Sequence, residues 1–194
     1  MNREIHKWLL EADHCHLIDG SNSHSVGLLI RRHIFVTKTV QRVVEEPVSS
    51  DHLADLRRVR NHAPSSMEIA AGEYGYDSIY FRRMLEAESV DVLQLDATRC
   101  KGFTGFLEGA AVAASFGCPL SAHCAPSLHM HAGCAVQNFR HVEYFHDHVR
   151  VEEMLFDGFI VPKDGRLTPD RSRPGLGLVF KHKDAEQFAT WGKR

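Results

Sequence analysis

The stretch "DVLQLDATRCKGFTG" (residues 91–105) decides how the chain is read. Val92 to Leu95 make an apolar run of strand length, and Asp96 then sets a carboxylate at its end. A charge in that place is costly to bury without a partner. Directly after it, "TGFLEGAAVAASFG" (104–117) reads as a helix of small residues, closed by Gly117 as a C-terminal cap.

The same unit recurs on both sides. Upstream, "QRVVEEP" (41–47) is a strand that stops at a proline, and "SSDHLADLRRVRNHA" (49–63) is a helix opened by a serine or aspartate cap. Leu53, Leu56 and Val59 give that helix its apolar spacing. "SMEIAAGE" (66–73) is a strand ending in glycine and an acid, followed by the helix "DSIYFRRMLEA" (77–87) with Asp77 as cap. Downstream come the strand "CPLSAH" (118–123), the helix "PSLHMHAGCAV" (126–136) and the strand "FRHVEYF" (139–145). Regular strand–helix alternation implies parallel strands joined by right-handed crossovers. A repeat of roughly 25 residues, each strand ending in a polar group, predicts a (β/α) barrel rather than an open sheet.

The ends are less regular. "HLIDGSN" (16–22) reads as an earlier strand and "VGLLIRRHIFVTKTV" (26–40) as its helix, although the β-branched residues there suit a strand equally well. The expectation is an α/β fold, an incomplete TIM-type barrel of about six parallel strands. Residues 1–41 are its irregular start, 42–150 its strand–helix repeats, and 151–194 a glycine- and proline-rich tail that folds back over the domain.

Composition excludes several classes of function. The 194 residues suit one domain, with 43% hydrophobic and 25% charged residues. A formal net charge of −2 gives no electrostatic footprint for nucleic acid or an anionic membrane. No apolar run reaches the ~20 residues of a membrane span, so a cytoplasmic protein is expected. The five cysteines (15, 100, 118, 124 and 134) form no C-x-x-C pair and read as reduced thiols. Fourteen histidines lean toward metal or acid–base chemistry. The H-x-H pairs His129/His131 and His146/His148, placed on helix or loop, read as surface residues rather than zinc ligands.

In a parallel barrel the chemistry sits at the C-terminal ends of the strands. Standing there are Asp19, Glu45 or Glu46, Glu73, Asp96, His123 and Glu143. Each alone could be a helix cap or a solvated charge, but six consecutive strands ending in an acid or a histidine form a pattern. Three acids on adjacent strands supply oxygen ligands for a hard divalent cation, most naturally magnesium. Alternate strand residues face opposite ways, so only one of Glu45 and Glu46 is expected to point into the site. Asp96 and His123 end neighbouring strands, where a carboxylate fixes the histidine tautomer and raises its basicity. Glu143 would donate a hydrogen bond to a developing enolate if its pKa is raised.

The motifs "VEEPVSSDHL", "AAGEYGYD", "DVLQLDATRCKGFTG", "PLSAHCAPSLH" and "HVEYF" occur in this order. From about residue 42 to 190 the chain resembles the C-terminal barrel domain of the enolase superfamily, in its mandelate racemase-like subgroup. The resemblance implies Asp19, Glu45 and Glu73 as magnesium ligands, Asp96 and His123 as the catalytic pair, and Glu143 as the acid of the last strand. It implies abstraction of the proton α to a carboxylate, followed by dehydration, as in acid-sugar dehydratases, or by racemisation. The expected substrate is a small carboxylate, an acid sugar or a 2-hydroxy acid.

The sequence departs from that family's pattern in several ways. The capping domain and the first barrel strands, with their Lys-x-Lys, have no counterpart, and "DGSN" puts Ser21 where the family carries asparagine. The expectation is therefore a copy truncated at its N-terminus. Such a chain would be either an enzyme of this class or a catalytically inactive remnant. Unpaired edges would drive it to homo-oligomerise or to assemble with a missing N-terminal part.

Overall fold

A computed structural model of the chain describes residues 25–28 and 42–190. Its main sheet grows from the short apolar runs found in the sequence. The strands are β1 (Ser25–Leu28), β2 (Arg42–Glu45), β3 (Met67–Ala71), β4 (Val92–Leu95), β5 (Leu120–Ala122) and β6 (Phe139–Phe145). Helices α1 (Leu53–His62), α2 (Ser78–Glu86), α3 (Gly102–Ser115) and α4 (Pro126–Cys134) connect β2 to β6 in turn, and α5 (His146–Leu155) follows β6. The sheet order is β1-β6-β5-β4-β3-β2. Strands β2 to β6 are parallel, and together they form a curled half-barrel of the TIM type.

The parallel strands among the described residues number five. The sixth member, β1, pairs antiparallel with β6, from Ser25 opposite Phe145 to Leu28 opposite Val142. Val26 to Leu28, read as the start of a helix or equally well as strand, lie in a strand. Helix α1 is capped at His52, whose side chain makes no capping bond, rather than by serine or aspartate. The expected strand at 16–22 lies outside the described residues.

The period-two alternation of the strands sorts their side chains onto two faces. Ile69, Leu93, Leu95 and Leu120 face the helices and pack with Leu56, Phe81, Met84, Phe106 and Met130, all less than 2% exposed. Burying a side chain of this size stabilises by roughly 1.5–3 kcal/mol. On the opposite, inner face Val43, Ala70 and Val92 form a smaller apolar cluster. The small residues of α3 have a packing reason. A Cβ at Gly109 would lie 2.9 Å from both Leu95 and Phe81, so the helix approaches β4 and α2 through its glycine.

Strands β7 (Phe156–Asp157) and β8 (Val179–Phe180) pair antiparallel, α6 (His182–Ala185) follows, and Leu167 is buried in the main core.

Candidate functional site

Glu45 ends β2, Glu73 follows β3 by two residues, Asp96 directly follows β4, and His123 directly follows β5. Glu143 lies within β6. Glu45, Glu46, Glu73, His123 and Cys124 converge on one cleft of about 390 Å³, whose far wall is Phe145, Asp147 and His148. Asp19 lies outside the described residues.

Backbone geometry places these groups. Gly72 has φ +128°, and a Cβ there would stand 2.6 Å from the Gln94 carbonyl oxygen. A glycine is required for the end of β3 to pass so close to β4 and deliver Glu73. At the end of β2, Glu46 takes φ +40°, which turns the chain and sends Glu46 into the cleft beside Glu45. The strand rule that only one of the two could point inward ends where the strand does. After His123, Cys124 and Ala125 both adopt left-handed φ (+48° and +37°), at a cost of order 1 kcal/mol or more each.

Asp96 and His123 meet directly. His123 Nδ1 lies 3.0 Å from Asp96 Oδ2. The other carboxylate oxygen accepts from the Thr98 amide and hydroxyl, each at 2.7 Å. Burial opposes the charge on Asp96, but the bonds from His123 and Thr98 outweigh it and hold the pKa down at about 2. His123 Nε2 faces two partners, Glu73 Oε2 at 2.9 Å and Cys124 Sγ at 3.1 Å. Burial again disfavours the charge, yet the bonds to Asp96, Cys124 and Glu73 push the imidazole up to about 12. His123 is therefore an imidazolium in this arrangement. Arg99 holds Glu73 from the other side, its Nη1 3.3 Å from Oε1, while its guanidinium lies over the Tyr74 ring at 4.6 Å.

His129, read from sequence as a surface residue, is fully buried. Its Nε2 accepts from the Ala97 amide at 2.9 Å and its Nδ1 donates to the Cys124 carbonyl at 2.8 Å. Two such bonds fix a neutral tautomer, and burial lowers its pKa accordingly. It ties the loop after β4 to the loop after β5, the two loops that carry Asp96 and His123.

The β2–β6 side has the opposite character. Glu143 is 2% exposed and accepts from Gln94 Nε2 at 2.6 Å and from the Cys124 amide at 3.2 Å. Burial, then the neighbouring Glu45, raise its pKa well above the ordinary carboxylate range. Glu46 is raised by burial and by Glu73. One oxygen of Glu45 and one of Glu46, Oε1 in each, are buried without a hydrogen-bond donor. Crowded, under-satisfied carboxylates of this kind fit a divalent cation. Gln94, Arg99, Cys124 and His129 escaped the sequence reading as site residues, and Glu46 entered it only as the alternative to Glu45. Period-two spacing does put Gln94 on the face of Asp96, and Cys124 sits beside His123 in "SAHCAP".

Known proteins resemble this chain. The model of the enolase C-terminal domain-like family matches residues 32–185. A mandelate racemase/muconate lactonizing enzyme-like protein from Rubrobacter xylanophilus superposes with a TM-score of 0.71 at 46% identity, covering 75% of this chain and 40% of that one. L-talarate dehydratase from Polaromonas sp. JS666, solved with Mg and L-glucarate, gives a TM-score of 0.63 at 29% identity over 73% of this chain and 38% of its own. D-galactonate dehydratase of Ralstonia pickettii is 35% identical over 81 residues, 42% of this chain. The chain spans 21% of that relative's length. With the family model covering most of its length, the chain belongs to the enolase C-terminal domain-like family.

Proposed function

We propose that the chain carries the proton-abstracting half of a magnesium-dependent acid-sugar dehydratase or racemase. One observation supports this above the others. The cleft is lined by four carboxylates, Glu45, Glu46, Glu73 and Asp147, against the imidazoles of His123 and His148, and a divalent cation would offset that excess for an anionic substrate. Glu45 and Glu73, with Glu46 close by and Asp19 completing the set, are the residues that would hold magnesium. When bound, magnesium would polarise the substrate carboxylate and acidify the proton on its α-carbon.

The chain's own groups supply the rest. With Glu73 committed to a cation, His123 loses one of the partners that hold its proton. The neutral imidazole, kept by Asp96 in the tautomer with hydrogen on Nδ1, takes the α-proton at Nε2. For dehydration it returns that proton to the β-hydroxyl, which leaves as water while the Cα–Cβ double bond forms. Protonated Glu143 hydrogen-bonds a developing enolate oxygen.

The test is deuterium exchange at the α-carbon of galactonate, rhamnonate and glucarate, followed by NMR in heavy water with magnesium. Exchange by the wild type should fall about 1,000-fold or more in His123→Asn. Exchange retained in that variant would move the base elsewhere. A second reading, a half-barrel that binds cation and acid without turnover, is supported by β2, which stands at the sheet edge with no outer neighbour among the described residues. Magnesium binding measured calorimetrically, together with an absence of exchange by the wild type, would favour it. Binding unchanged in Glu73→Ala would remove Glu73 from the ligand set.

A further inference from the structure

Beside the all-oxygen part of the cleft, a nitrogen, a sulfur and an oxygen converge. His123 Nε2, Cys124 Sγ and a Glu143 carboxylate oxygen all lie within 4.8 Å of one another. The sulfur is 3.1 Å from the His123 nitrogen and 3.9 Å from Glu143 Oε2. Two ligands of a tetrahedral zinc ion, with Zn–S near 2.3 Å and Zn–N or Zn–O near 2.0–2.1 Å, stand about 3.6 Å apart. The two sulfur distances bracket that value, so the thiol already stands near ligand spacing from both of its partners.

We propose that His123, Cys124 and Glu143 form a second metal site, selective for borderline-soft divalent cations and for zinc in particular. Its fourth position opens to the cleft. Magnesium has no use for a thiol, so the sulfur marks this site as chemically distinct from the carboxylate set.

The outer supports of such a site are already in place. Asp96 accepts from His123 Nδ1, the carboxylate–histidine arrangement that orients an imidazole toward zinc. Gln94 Nε2 holds Glu143 at 2.6 Å. The left-handed backbone at Cys124 fixes the sulfur between the other two ligands. On binding, zinc displaces the thiol proton of Cys124, the carboxyl proton of Glu143 and the Nε2 proton of His123, all of which go to solvent. Zinc in this position occupies the nitrogen proposed as the base, so it would inhibit α-proton exchange even with magnesium in excess. The proposal itself does not depend on turnover.

Cobalt(II) is the probe. The full chain should bind one equivalent with an intense near-ultraviolet thiolate-to-cobalt band, displaced by zinc and unaffected by excess magnesium. Cys124→Ser should lose the band and weaken zinc binding about 100-fold or more, since even supporting residues around a metal are worth 10–100-fold. Cys134→Ser, at an exposed thiol, should keep both. A wild-type spectrum without the thiolate band, or a band that survives Cys124→Ser, overturns the site. Should Cys124→Ser not fold, the wild type still decides. Zinc must slow alkylation of Cys124 by iodoacetamide, read by peptide mass spectrometry, and unchanged alkylation overturns the proposal. Neither readout needs substrate or turnover, so failure here is separable from failure of the dehydratase or racemase reading.

Discussion

Asp96 and Glu143 are both carboxylates withdrawn from water, 4% and 2% exposed, yet the protein treats them in opposite ways. Asp96 keeps its charge because His123 and Thr98 supply three hydrogen bonds, and its pKa falls to about 2. Glu143 sits in comparable seclusion beside Glu45 and is driven toward its neutral form. Burial acts in the same sense on both. What differs is the neighbour: a histidine cation in one case, a second carboxylate in the other. The β4–β5 side is organised by the chain alone, whereas the β2–β6 side crowds carboxylates whose repulsion is relieved by protons or by an outside cation.

If that division is real, substitutions on the two sides should change stability with opposite sign. The largest effect belongs to His129, the buried strut of the paired side. His129→Leu leaves the Ala97 amide and the Cys124 carbonyl without partners, and should cost about 3 kcal/mol in urea unfolding. A loss below about 1 kcal/mol would mean that the two loops hold each other without it.

Next is Asp96→Asn, expected to cost about 2 kcal/mol near neutral pH, the equivalent of moving a carboxyl pKa from 3.8 to about 2. The sign follows from the depressed pKa. Asp96 contributes stability that is present above pH 3.8 and lost as pH falls through about 2. The gap between wild type and variant should therefore close over that window. A gap that stays constant down to pH 2 would show that packing, not charge, sets the contribution of Asp96.

How much of this was legible in the sequence depends on what carries the information. Strands β2 to β6 and their helices were readable because period-two and helical spacing are written in residue type. Asp96 and His123 were readable because each stands directly after an apolar run. Asp77 was readable as a cap, and its carboxylate does accept from the Tyr80 amide at 3.0 Å. The inward turn of Glu46 was not, because a positive φ at a non-glycine residue leaves no mark in composition. The same holds for the Cys124–Ala125 turn that brings a thiol to His123. His129 was misjudged because a histidine in a helix looks alike whether it faces water or two loops. The antiparallel β1 eluded the strand–helix rhythm, since nothing in Ser25–Leu28 states which neighbour it takes.

The smallest effect is the most discriminating. Glu46 has its pKa raised by burial and then by Glu73, so the folded state holds its proton more tightly than the unfolded state does. A raised carboxyl contributes stability that is full below the unfolded value of 4.5 and is lost as pH climbs through the folded one. Glu143 adds a second contribution of the same sign. Without added divalent cation, Glu46 and Glu143 should therefore favour the folded state more as pH falls from neutral to 4.5, while the buried neutral rings of His129 and His141, with their lowered pKa values, oppose them, and acidification from 3.8 to 2 should destabilise the protein through Asp96. Glu46→Gln removes one crowded charge and should gain about 0.5–1 kcal/mol at neutral pH and nothing near pH 4, while weakening the stabilisation conferred by magnesium. Saturating magnesium should stabilise the wild type more at neutral pH than at 4.5, because a cation bound to the folded state relieves the same repulsion. A Glu46→Gln variant that is less stable than wild type at neutral pH without magnesium would break the comparison. It would mean that Glu46 is already satisfied by Ser50 and the Gly72 backbone, and that the carboxylates of the β2–β6 side are not waiting for a cation.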